Sequence, residues 1–210
     1  MIVDLDGLKL NVEIIIKNNK NVYMRFKDAN TLVVTCHRLV SKRKIESIIL
    51  ENKEKLLKMF KAAETETQNE LYFWYLGKKY IPIFQENIKK VQFDGENIYA
   101  QDQKMLERFK KKETIRIFQM ELDRIVPHFE NIPKFDLKIR KMKTRWGVCN
   151  RGNNTITLNS ELLKKDLDLL DYVIIHELCH FYEANHSERF WSWVSKYYPK
   201  YKEARKRLRG

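Results

Sequence analysis

An apolar segment near the carboxyl end of the chain carries ionisable side chains where a helix would bury them. From about Leu169 to Glu183 the sequence has helical periodicity, and an apolar run leads into His176-Glu-Leu-Cys-His180. Residues four apart on a helix differ by about 40° around the axis and about 6 Å along it, so both imidazoles can reach one ion. A bound metal would explain why these ionisable side chains occur on a helix that is otherwise apolar and buried, because unpaired ionisable groups are costly to bury. The alternative is an amphipathic helix whose histidines lie on its surface.

The five residues form an HExxH motif, which indicates a zinc site with catalytic function. Glu177 is offset by about 100° from His176 around the helix, so its carboxylate is expected beside the metal and not on it. The spacing therefore predicts Glu177 as the general base. A catalytic zinc usually has three protein ligands and leaves one position for water.

His186 is the first choice for the third ligand. A continuous helix would rotate it by about 240° from His180 and carry it about 9 Å onward, away from the ion. The chain must therefore turn, and we expect the turn at residues 183–185, with Asn185 in the left-handed conformation that commonly ends a helix. Ser187 can then cap the next helix.

The first part of the chain is rich in strand-forming residues and has one long helical segment. Residues 8–36 predict a three-stranded meander, with turn-forming clusters between the strands. Ser41 is a candidate N-cap for an amphipathic helix from Lys42 to Ala63. Residues 65–70 are polar throughout and are the best candidate for a linker.

Two hairpins, a turn-rich loop between strand-like runs and a second long helix are predicted further along the chain. Turns at residues 77–79, 94–97 and 150–154 are flanked by strand-like runs. Pro82 lies within one of these runs and predicts an edge strand, because proline cannot donate to a ladder. A helix starting near Lys104 should end or bend at Pro127.

These patterns together predict the fold class α+β. The expected organisation is a β-rich region with one long helix over residues 1–100, followed by a catalytic domain over residues 101–210. The strand Asp136–Met142 alternates apolar and basic side chains. It can be a solvated strand, or an exposed edge that accepts an extended peptide and favours an acidic substrate or nucleic acid.

Composition limits the location and partners of the protein. Three cysteines far apart in 210 residues indicate a reducing compartment, and neither a signal peptide nor a membrane span is evident, so we expect a cytoplasmic protein without a membrane partner. Cys149 and Cys179 are expected in the core, although both could bind metal. A net charge of +13 and a basic segment at residues 200–209 would attract phosphates, so a second class of function stays open. This alternative is a nucleic-acid-associated binding protein with a structural or vestigial metal site.

Several runs resemble the YgjP-like zinc metallopeptidases, relatives of the WLM and SprT-like groups. In chain order, these runs are Arg145-Trp-Gly-Val-Cys149, Ile156-Thr-Leu-Asn159, Asp171-Tyr-Val-Ile174, His176-Glu-Leu-Cys-His180 and Asn185-His-Ser-Glu-Arg-Phe-Trp191. The resemblance is strong over residues 100–210. Two positions depart from the family pattern, at Val148 and at Lys165-Asp166, and neither is a predicted ligand.

The resemblance implies a zincin-like domain that hydrolyses peptide bonds of a peptide or protein substrate. One zinc ion per chain would be bound by His176, His180 and His186, and Glu177 would activate the zinc-bound water. Glu177 would then pass the proton to the leaving amine. The donor to the developing oxyanion stays open, with Tyr182 and Arg145 as candidates for contact with the transition state or substrate.

Overall fold

The chain divides into two compact units, residues 1–71 and 72–210. The computed structural model describes residues 1–209, except for the side chains of residues 62–70. Both units combine strands and helices, so the predicted α+β fold class is confirmed. The domain division after residue 100 stays a prediction.

A four-stranded sheet forms most of the first unit. Its strands are β1 Ile2–Leu5, β2 Leu8–Ile16, β3 Tyr23–Asp28 and β4 Thr31–Cys36. They lie in the order β1-β2-β4-β3, and β2 pairs with β4 in parallel. The predicted meander is therefore wrong, because β4 lies between β2 and β3. Almost every side chain of β4 is buried, which suits an inner strand and not the last strand of a meander.

Two helices follow this sheet, α1 Lys42–Glu51 and α2 Lys53–Glu70. Ser41 caps α1 as predicted, because its side chain accepts a hydrogen bond from the Lys44 amide. The prediction of one helix over residues 42–63 is wrong, since the helix is interrupted at Asn52. The Asn52 side chain donates to the carbonyl of Ile48 at 2.9 Å and so competes with the helical backbone for that acceptor. The predicted linker, residues 65–70, falls within the bounds of α2, where side chains lie outside the described part.

The second unit begins with a sheet built from the two predicted hairpins. Its strands are β5 Phe73–Tyr75, β6 Lys78–Phe84, β7 Gln92–Asp94 and β8 Asn97–Ala100, in the order β5-β6-β8-β7. β6 is an inner strand, so the edge strand predicted from Pro82 is wrong for the strand as a whole. However, β5 pairs with β6 only as far as Tyr80, and β6 then pairs with β8 alone within residues 1–209. Pro82 thus lies where one side of the strand has no ladder, which tolerates its missing N–H.

A long helix and a second sheet complete the frame of this unit. α3 covers Gln103–Ile125 and ends in a short 3-10 turn that contains Pro127, as predicted. The sheet consists of β9 Asp136–Arg140, β10 Gly147–Asn150 and β11 Thr155–Asn159, in the order β10-β11-β9. β10 and β11 pair in antiparallel on either side of the turn-rich loop predicted at residues 150–154. All five residues of β11 are buried, so this strand forms the centre of the unit.

Three further helices lie at the carboxyl end, α4 Leu167–Tyr182, α5 Glu188–Tyr197 and α6 Tyr201–Arg209. The largest core of the unit contains buried residues from α3, α4, α5 and β11. α4 contacts α3, α5, α6, β10 and β11. The HExxH motif, His176–His180, therefore lies on the central helix of the unit.

The hairpin turn at Gly77 touches the beginning of α4. Leu76 and Gly77 both have positive φ, 48° and 81°, and the Leu76 amide donates to the Leu163 carbonyl at 2.8 Å. A Cβ atom at Gly77 would lie 1.7 Å from Oδ1 of Asp166, the residue before α4. Position 77 therefore requires glycine for two reasons, the positive φ of its backbone and the close approach of the Asp166 side chain.

Gly77→Ala is expected to lower the free energy of unfolding by about 2 kcal/mol or more, because positive-φ strain is added to a steric clash. Urea denaturation measures the change. Gly95→Ala is the matched control, since Gly95 has φ 35° and an added methyl group would meet no neighbouring atom within 4 Å. For the control, the free energy of unfolding should fall by about 1 kcal/mol. Equal losses for the two variants would contradict the contact with Asp166.

Candidate metal centre

Two imidazoles project from neighbouring turns of α4. The ring centroids of His176 and His180 are 5.0 Å apart. Nδ1 of His180 donates to the carbonyl of Glu183 at 3.1 Å, which leaves Nε2 with a free lone pair. Glu183 has an extended backbone, φ −138° and ψ 120°, and ends the helix. The end of α4 thus orients its own second histidine.

The chain returns to the helix at His186. Nε2 of His186 lies 3.1 Å from Nε2 of His176, and one ring nitrogen from each of His176, His180 and His186 lies within 4.8 Å of the others. The turn falls at residues 183–185, as predicted. Asn185 is not among the residues with positive φ, so the predicted left-handed conformation is wrong, and the extended Glu183 changes the chain direction instead. Ser187 caps α5 by accepting from the Phe190 amide at 3.3 Å.

The three nitrogens fit a tetrahedral zinc ion. Zinc–nitrogen bonds of about 2.0–2.1 Å place ligand nitrogens about 3.3 Å apart, close to the observed separation of His176 and His186. Burial, and after it the electrostatic influence of His180, His186 and Arg205, lower the pKa of His176 to about 3. Burial also lowers the pKa of His180 and of His186. All three imidazoles are therefore neutral at pH 7, which is the form that binds metal.

Glu177 is buried beside the histidines, with only 4% of its surface exposed. Burial raises the pKa of its carboxyl to about 8, while the Cys149 amide and the charge of Arg145 lower it. A carboxyl group with a pKa near neutrality can both accept and release a proton at pH 7. Gly147 makes room for this side chain, since a Cβ atom there would lie 2.4 Å from Oε1 of Glu177.

These groups share one cavity of about 920 Å³. Its walls come from residues 144–151, which include β10, from α4, and from α6. The predicted histidines and Glu177 all line it. Among the described residues, the three histidines are the one group of His, Cys, Asp or Glu side chains arranged to hold a metal ion.

The two candidates for substrate contact occupy different places. Arg145 lines the cavity, and its carbonyl accepts from Nδ2 of the buried Asn159 at 2.8 Å. The structure does not bring Tyr182 to the cavity. Its hydroxyl donates to the Glu130 carbonyl at 2.5 Å, and its ring stacks on Phe129.

The strand beside the cavity is not the one that the sequence suggested. β9, which contains most of the predicted edge strand Asp136–Met142, lies at one edge of the second sheet, but it does not line the cavity. β10 lies at the opposite edge and does line it. The sheet order β10-β11-β9 could not be read from alternation of side chains, so the sequence did not show which edge lies beside the cavity. Both interpretations of Asp136–Met142, a solvated strand and a peptide-accepting edge, stay predictions.

The cysteines are not part of the histidine group. Cys36, Cys149 and Cys179 are free. Cys179 is buried, as predicted, and so is Cys36, whereas the predicted core position is only partly correct for Cys149. Cys149 is half-buried and lines the cavity, and burial raises the pKa of its thiol to about 11. The cytoplasmic location stays a prediction. Within residues 1–209, no helix has the length and apolar character needed to cross a membrane.

Several residues of the site were not predicted from the sequence. Tyr172 lines the cavity one turn before His176, at the i−4 spacing that could have identified it. Arg205 and Arg209 also line it, and their separation of four residues on one helix face was the available signal. Gly147 and Asn159 belong to runs that carried the family resemblance, but contacts with Glu177 and Arg145 are visible only in the folded chain.

The cavity contains an HExxH helix, whose glutamate is buried, and a third histidine. These are the features of a metallopeptidase. The family model of the YgjP-like metallopeptidase domain matches residues 20–210, and the chain belongs to this family. Two solved metallopeptidase zymogens are similar to part of it. Abylysin from Pyrococcus abyssi has 26% identity over 45% of this chain and 90% of its own, with a TM-score of 0.37. Jannalysin from Methanocaldococcus jannaschii has 23% identity over 45% and 92%, with a TM-score of 0.36. No curated protein matches the chain.

Proposed function

We propose that the protein is a zinc-dependent peptidase in which His176, His180 and His186 bind one zinc ion and Glu177 is the general base. The observation that supports this proposal best is the meeting of three neutral imidazoles and a buried carboxyl group in one cavity. A bound zinc ion supplies a Lewis acid that polarises a carbonyl and makes water more acidic.

Glu177 handles the proton in this proposal. Its carboxylate accepts a proton from the attacking water, and the carboxylic acid then donates it to the nitrogen of the leaving amine. Burial raises the pKa of the Glu177 carboxyl and so favours the acid that donates to the amine, while the positive charge of a bound zinc ion would favour the carboxylate that accepts the proton of water. Gly147 positions the carboxylate, because no side chain separates it from β10.

β10 is proposed to align the substrate. Within the described part of the chain it pairs with β11 alone, and its residues Gly147–Asn150 line the cavity. Its other edge can therefore receive an extended peptide through main-chain hydrogen bonds. Arg145, two residues before this strand, lines the cavity and is the better placed of the two proposed donors to the oxyanion. The Tyr182 hydroxyl already has an acceptor outside the cavity.

His186→Ala tests the third ligand of the proposed centre. Zinc affinity, measured by competition with a chromogenic chelator, is expected to fall by about 100-fold or more, because one of three protein ligands is lost. His128→Ala is the matched control, since His128 is exposed in the same unit and does not line the cavity. It should leave the affinity unchanged. Full zinc affinity in His186→Ala would contradict the three-histidine site.

A further inference from the structure

The cavity has cationic side chains on two of its walls. We call them the cavity arginines, and they are Arg145, Arg151, Arg205 and Arg209. The first two flank β10, and the last two lie one helical turn apart on α6. The two pairs therefore belong to different walls of the space that contains the histidines.

Among the described side chains, none of the cavity arginines forms an ion pair with a carboxylate. Arg207, on the same helix as Arg205, differs in this respect, because it forms ion pairs with Asp166 and Asp168 outside the cavity. Arg205 instead stacks on the ring of Trp191, with its guanidinium carbon 4.7 Å from the ring centroid. Stacking holds this guanidinium in place and leaves its N–H donors for another acceptor.

Among the described side chains that line the cavity, Glu177 is the one acidic residue, and it is buried against Gly147. The open part of the cavity therefore presents positive charge to an incoming molecule. A cleft lined by one sign of charge raises the local concentration of oppositely charged ligands.

We propose that the cavity arginines bind carboxylate side chains of the substrate, so that the enzyme prefers acidic peptides, with Asp or Glu on both sides of the cleaved bond. This inference rests on the proposed function, because it concerns the substrate of the same site. Peptide carboxylates suit these arginines because the planar guanidinium donates two parallel hydrogen bonds to a carboxylate. A peptide on the edge of β10 would direct side chains toward one wall and then the other.

The test compares an acidic peptide with its neutral counterpart, in which every Asp is replaced by Asn and every Glu by Gln. Binding of the fluorescein-labelled peptides to zinc-loaded Glu177→Gln protein is followed by anisotropy at fixed ionic strength, and hydrolysis by the wild type is followed by mass spectrometry. We expect about tenfold tighter binding and faster cleavage of the acidic peptide. The double variant Arg205→Gln/Arg209→Gln should lose most of this preference.

Lys202→Gln/Lys206→Gln is the matched control. It removes the same net charge from α6, but neither lysine lines the cavity, so the preference for the acidic peptide should change by less than about twofold. Arg151→Gln provides a second test on the other wall and does not affect the stacking on Trp191. It should reduce the preference by about threefold.

The outcomes separate this inference from the proposed function. Equal binding and cleavage of both peptides would overturn the inference and leave the peptidase in place. A preference for the acidic peptide in binding, without hydrolysis of either peptide by zinc-loaded wild type, would overturn the peptidase and retain the recognition of carboxylates. Tight binding of duplex DNA that depends on Arg205 and Arg209, with no discrimination between the peptides, would replace the proposed ligand by nucleic acid.

Discussion

Glu177→Gln is expected to lower peptide turnover by about 1,000-fold while zinc binding stays unchanged. The amide keeps the size of the carboxyl group but cannot accept the proton of the attacking water. Because Glu177 is buried beside the histidines and is not one of the three proposed ligands, the metal should be retained. The measurements are the rate of peptide cleavage at saturating substrate and the zinc content per chain.

Glu188→Gln is the control for this result. Glu188 is an exposed carboxylate two residues after His186, and it does not line the cavity. Its variant should cleave peptides at the wild-type rate. Undiminished cleavage by Glu177→Gln would remove Glu177 as the base, whereas a parallel loss of zinc would show that it acts through the metal site.

Gly147→Ala is expected to reduce turnover by about 100-fold. The added methyl group would lie 2.4 Å from Oε1 and 2.6 Å from Cγ of Glu177, so the carboxylate must move. Gly147 does not have positive φ, and alanine is therefore compatible with its backbone. The loss should appear in kcat at unchanged zinc content, because the three atoms nearest to the added methyl group all belong to Glu177 and none to a histidine.

Gly152→Ala is the matched control in the same hairpin. Its methyl group would meet only Oδ1 of Asn150, at 3.4 Å, and the residue does not line the cavity. Wild-type turnover is expected for it. Wild-type turnover in Gly147→Ala as well would contradict the view that this glycine positions the base.

The sequence was sufficient to predict the groups of the proposed metal centre that depend on local geometry. His176 and His180 share a helix face because of their spacing, and a helix carrying both could not also present His186 without a turn. The capping residues Ser41 and Ser187 were predictable for the same reason, since a cap is determined by a few neighbouring residues.

Features that depend on contacts between distant parts of the chain were not predictable in this way. The parallel pairing of β2 with β4 joins strands separated by another strand, and alternation of side chains does not show which strands are neighbours. The same limitation applies to β10, which lies at the edge nearest the cavity, and to Arg205 and Arg209, which α6 brings there. Even the local prediction at Asn185 was wrong, because the extended Glu183 supplies the turn.

Anomalous diffraction at the zinc absorption edge, from crystals of the protein purified with zinc, tests the proposed metal centre most directly. We expect one peak per chain, bonded at about 2.0–2.1 Å to nitrogens of His176, His180 and His186. The carboxylate of Glu177 should lie next to this position without a bond to it. Absence of a peak in the cavity, or a ligand set in which Cys149 replaces His186, would contradict the three-histidine centre.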